Sequence, residues 1–213
     1  MCSPEYFRTP DNVMLPDRRC KHITIEQIYP ELQALTLDQD TPAALTIEFE
    51  TVKNLYLYTW FVYEFMHVAD RQALLLLEKA LKIRCAELTI PSKQKDGLWK
   101  LLLKAEQHDL IGSEDLPADL LRHASFQPQH LSKSIKKIIK QHLGGYQSSE
   151  QPSSMEVENT RLEKMDQPLL NETISHLSAQ PAALPAEENA LLTVDFTILR
   201  LTCALINAMY AVH

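Results

Sequence analysis

Few residues in this chain are placed to do chemistry. Lys133, Lys136, Lys137 and Lys140 recur at steps of three and four, which puts them on one helix face, opposite Ile135, Ile138 and Ile139. His130 and His142 flank the row. Ammonium groups at that spacing can follow a phosphate backbone, each contact releasing a condensed counterion. The plainer reading is a solvated face that aids solubility. The chain carries 21 Lys and Arg against 28 Asp and Glu, for a net charge of −7. That balance disfavours a general nucleic-acid coat but leaves room for one local basic strip.

His176 is the second feature. It closes a helical pattern running from Met155, with Asn171 five residues before it. A histidine there can act as acid or base, or simply favour the carbonyl end of the helix dipole. The other histidines, His22, His67, His108, His123 and His213 among them, form no H-E-x-x-H and no helical pair beside a carboxylate cluster. A zinc enzyme is therefore rejected, and His67 is expected at a core or helix-break position. G-x-S-x-G, G-x-x-x-x-G-K-[ST] and G-x-G-x-x-G are missing, so hydrolase, P-loop and Rossmann functions have no support. No metal and no cofactor is expected.

The elements that must position these residues read as helices. Leu55 to Leu88 carries apolar side chains at helical spacing for about nine turns. Its first half is greasy on nearly all sides, which predicts burial all round. One helix from Pro42 to Leu88 would be about 70 Å long, so a break is expected near His67 to Arg71, with Asp70 capping a second helix. Ala73, Leu76, Leu77, Ala80 and Leu81 form the buried stripe of that second helix. Thr41-Pro42 reads as a helix start, although Leu45 to Phe49 alternates like a strand.

Further helices are predicted at Ile25–Leu35, from a cap at Asp96 to Gly112, at Pro117–Ala124, from Pro128 to Gly144, and at Glu187–Val212. Asp96-Gly97 is the single hairpin-like dipeptide and leads into a helical pattern. The fold class is all-α: an irregular proline-rich arm over residues 1–40, then one helical bundle over 41–213 with a mobile polar loop at about 144–155. The charges at Glu64, Asp70, Arg71, Glu78 and Lys79 argue against a membrane span. Four scattered cysteines and no secretory leader point to a reducing, cytoplasmic setting.

Three stretches taken together resemble the HEPN superfamily of small α-helical bundles: YLYTWFVYEFMHVADRQALLLLEKAL, GLWKLLLKAEQHDLI and LLNETISHLSAQPAALPAEENALLTVDFTILRLTCALINAMYAVH. The likeness spans about Thr41 to His213, in pattern rather than strict motif. Many HEPN proteins carry R-x(4–6)-H, usually R-N-x-x-x-H, at this helix end, and cut RNA without metal across a dimer interface. Aligned on His176, the arginine position holds Asn171 and the next position Glu172. Asparagine has neither the charge nor the forked donor pair that would steady a scissile phosphate.

The resemblance therefore implies a homodimerising, partner-binding or RNA-binding module that is catalytically inactive, in a toxin–antitoxin, phage-defence or RNA-associated setting. A rival expectation is a metal-independent endoribonuclease using His176, with Arg161, Lys164 or Arg200 as substitute cation. A third is a helical scaffold without ligand.

Overall fold

The computed structural model describes residues 8–122, 130–144 and 194–211. Among them every regular element is helical: α1 (Ile25–Ala34), α2 (Ala43–Tyr58), α3 (Phe65–Glu87), α4 (Leu98–Gln107), α5 (Ala118–Leu121), α6 (Leu131–Gly144) and α7 (Thr197–Tyr210), with a short 3-10 turn at Arg18–Cys20. The all-α class is thus the observed one. The chain divides into two compact units, residues 1–142 with 191–213 and residues 143–190. The first holds all of these helices except the last two residues of α6. The expected helix from Met155 to His176 lies outside the described residues, as does the proposed loop beyond Gly144.

α3 is the axis of the first unit and packs against α2, α4 and α7. Its inward stripe, Met66, Ala69, Ala73, Leu76, Leu77, Ala80 and Leu81, is fully buried, as the spacing predicts for the last five. Alanines alternating with leucines let neighbouring backbones come close. Thr202 of α7 reaches the Ala73 carbonyl at 3.5 Å. α2 contributes Leu45, Phe49, Val52 and Tyr56, each worth roughly 1.5–3 kcal/mol of burial. Leu45 to Phe49 is helix, not strand. Tyr56 meets Asp70, and Glu48, two turns earlier, meets Lys79, so α2 and α3 run antiparallel.

The break between these helices is not where the sequence places it. It falls at Thr59–Glu64, and Asp70 sits inside α3, fully buried, capping nothing. The reason lies 40 residues upstream in the arm. Asp17 N–H donates to the Trp60 carbonyl at 2.8 Å, Arg8 donates to the Phe61 carbonyl, and Trp60 Nε1 donates to Ile23 at 2.8 Å. Thr59 Oγ1 takes the Tyr56 carbonyl at 2.6 Å, a side chain competing with the helix ladder. Carbonyls that would have continued the helix are satisfied elsewhere.

Burial on all sides of the aromatic stretch is also overturned: Tyr58 is 53% and Phe65 39% exposed. Thr41 does not cap α2; Pro42 occupies that position, and the Thr41 hydroxyl has no partner among the described residues. Asp96 caps no helix either, since Gly97 precedes α4. α4 stops at Gln107, five residues before Gly112, and Val194 precedes α7 instead of lying within it.

Candidate functional site

The predicted lysine face exists, on α6, and α6 is fastened at both ends by side chains from other elements. At its start, Glu106 of α4 accepts from the amides of Leu131 at 2.7 Å and Ser132 at 3.1 Å. These are donors a helix N-terminus leaves unpaired, and a negative charge suits that end of the dipole. Burial pushes the Glu106 carboxyl up, but the bonds from Ser132 and Leu131 outweigh it and leave its pKa lowered.

At the other end His142 turns inward. Its Nε2 lies 3.2 Å from Asp70 Oδ2 on α3, and its Nδ1 lies 3.3 Å from Asp195 Oδ2 just ahead of α7. The Tyr56 hydroxyl donates to the other oxygen of Asp70, and Phe196 packs edge-on against the Tyr56 ring at 5.6 Å. Burial alone would drive the His142 pKa down. The hydrogen bonds to Asp195 and Asp70 prevail and raise it to about 9. The ring is therefore an imidazolium at neutral pH, donating from both nitrogens. Asp195 is also held well below the usual carboxylate range: burial opposes this, and the His142 and Thr197 hydrogen bonds overcome it.

With both nitrogens engaged, His142 has no free acceptor for a substrate proton. What it does is join α3, α6 and the lead-in to α7. His67 lies half-buried in the first turn of α3, and burial lowers its pKa despite the nearby Asp70.

Between these anchors, Leu131, Ile135, Ile138 and Ile139 are buried while Lys133, Lys137 and Lys140 are exposed. Lys136 is half-buried, its ammonium 5.3 Å above the Trp99 ring of α4. None of these four lysines pairs with a carboxylate of the described residues. Elsewhere Lys53 pairs with Glu50, Lys79 with Glu48, Lys82 with Glu78 and Lys104 with Asp96. An array of cations without counter-charges is what a polyanion would neutralise.

Asn171 and His176, the residues expected to matter for catalysis, lie outside the described residues, as do Arg161 and Lys164. Arg200, offered as a substitute cation, pairs with Asp119 at 2.7 Å. Sequence reasoning missed the Asp70–His142–Asp195 clamp. Its one available signal was a carboxylate, Asp70, set between Met66, Ala69, Ala73 and Leu77 in an apolar stripe. A buried charge needs a partner, so Asp70 announced one without naming it. Among the described residues no group of three His, Cys, Asp or Glu side chains is arranged to hold a metal ion, and no helix is long and apolar enough to cross a membrane. In comparisons with known proteins, no family model, curated protein or solved structure matches the chain.

Proposed function

We propose that this chain is a non-catalytic, HEPN-like helical module that binds RNA through the lysine face of α6. The observation that carries the reading is the set Lys133, Lys137 and Lys140, exposed at i, i+4 and i+7 and lacking carboxylate partners among the described residues. Glu106 and His142 fasten the supporting helix at both ends, so the lysines stand on a fixed element. Within this reading the Asn171 to His176 segment is a degenerate R-x(4–6)-H motif, silent for want of a cation.

The test is fluorescence anisotropy with a labelled, unstructured RNA oligomer, without metal, for the parent and for Lys133→Ala/Lys137→Ala/Lys140→Ala. Binding by the parent that weakens in the variant supports the reading; equal binding by both refutes it. Cleavage of the oligomer that vanishes in His176→Ala would instead establish the ribonuclease.

A second reading, homodimerisation, has its own observation. Phe65, Val68 and Leu75 share one exposed face of α3, and Ile47 and Tyr58 share one on the antiparallel α2. Apolar side chains grouped this way mark interaction surfaces more often than scattered ones do. Sedimentation of the parent and of Val68→Glu/Leu75→Glu tests it, with a concentration-dependent dimer expected only for the parent.

A further inference from the structure

The basic surface does not end with α6. Trp99 of α4 meets Lys136, while Glu106, two turns further along α4, meets Leu131. The two helices therefore run antiparallel. Continuing α6 past Lys136 carries Lys137 and Lys140 toward the N-terminal end of α4, where the 91–96 loop joins it. There the loop and α4 enclose an open depression of about 610 Å³ lined by Lys93, Lys95, Lys100 and Lys104 with Leu103 and Gln107.

The one carboxylate in that depression, Asp96, is already spoken for. Lys104 Nζ lies 2.7 Å from Asp96 Oδ2 and 2.6 Å from the Pro91 carbonyl. The same Asp96 oxygen accepts the Lys93 amide at 2.9 Å, and the Asp96 amide returns to the Lys93 carbonyl at 2.9 Å. Lys104 and Asp96 thus fix the loop and cancel each other's charge. Lys93, Lys95 and Lys100 remain exposed, with no carboxylate partner among the described residues. A fixed loop that, with α4, gathers three exposed ammonium groups around one hollow suits phosphate oxygens, because the backbone that carries the cations is already in place before binding.

We infer that the depression between the 91–96 loop and α4 is a second phosphate-binding subsite, continuous through the Trp99–Lys136 contact with the α6 face, so that one RNA strand's backbone is held by both helices. This rests on the RNA-binding reading above, and the two fail separately. The probe is a labelled uridine oligomer, titrated from low to moderate sodium chloride against three proteins. These are the parent, Lys93→Ala/Lys95→Ala/Lys100→Ala, and the α6 variant described above.

Each lost single-strand phosphate contact lowers the slope of log affinity against log salt by about 0.7. Loss of all three loop and α4 lysines is therefore expected to lower the slope by about 2 and to weaken binding at low salt by at least roughly tenfold. Circular dichroism melts of the variant should match the parent, since all three side chains face solvent. An unchanged slope in this variant, with the α6 variant impaired, overturns the subsite and leaves the function standing. A parent that does not bind the oligomer overturns both.

Discussion

Replacing His142 with glutamine isolates what the buried imidazolium does. The side chain is 8% exposed and its partner Asp70 is fully buried. Its pKa rises from 6.5 to about 9 in the fold. A raised pKa means that the folded state holds the proton more tightly. The resulting stability is complete below pH 6.5 and is lost as pH climbs to about 9. The full shift corresponds to about 3 kcal/mol. Asp195 is 47% exposed, so solvent screening reduces this to about 2 kcal/mol.

Removing one partner also leaves the Asp70 charge short of compensation, which typically costs about 3–5 kcal/mol for a buried pair. The Tyr56 hydroxyl, which still donates to Asp70, should keep the loss near the lower end. Urea unfolding followed by far-ultraviolet circular dichroism at pH 6, 7, 8 and 9 provides the measure. The gap in stability between parent and His142→Gln should be largest at pH 6 and shrink by about 2 kcal/mol by pH 9. Cys20 and Cys203, whose thiols burial pushes up from 9.0 to about 11, are common to both proteins and cancel in the difference. A gap that stays constant over the whole range would mean that folding leaves the proton affinity of His142 unchanged, and a gap that widens with pH would mean that the ring is held neutral; either result refutes the clamp.

Three further outcomes follow from the geometry. Thr89, just past α3, has φ 54°, with Ile90 N–H bonded to the Cys85 carbonyl in the helix-closing pattern glycine usually serves. Because a β-branched residue is strained there, Thr89→Gly should raise stability by roughly 1 kcal/mol in thermal or urea unfolding. Glu106→Ala removes the cap of α6 and should cost about 1–2 kcal/mol, with amide exchange accelerating first in Leu131 to Ser134. Asp17 has its pKa lowered from 3.8, Arg19 overcoming the opposing effect of burial. Its contribution is present above pH 3.8 and fades as the carboxyl protonates at lower pH, so Asp17→Asn should flatten part of the parent's acid loss in denaturant midpoints as pH falls below about 4.

How much was legible varies from residue to residue. The stripes Ala73 to Leu81 and Leu98 to Ala105 were readable because a helix face repeats every three to four residues whatever it packs on. The lysine face of α6 was readable for the same reason. Helix ends were not. With four glycines in the chain, α3 and α4 close instead on left-handed Thr89 and Asp109 (φ 53°), residues that carry no stop signal of their own. Asp70 was misplaced as a cap because local rules treat a lone carboxylate in a helix as a boundary.

The amino-acid sequence by itself determined the helical class, the apolar stripes and the clustering of lysines, since each follows from spacing along one element. Tertiary structure alone decided where the long hydrophobic run breaks, which carbonyls the arm captures, and that Asp70, His142 and Asp195 meet. Those outcomes join residues from 43 (Asp17 and Trp60) to 125 (Asp70 and Asp195) positions apart, and no local periodicity encodes which distant partner will satisfy a buried charge or a freed carbonyl.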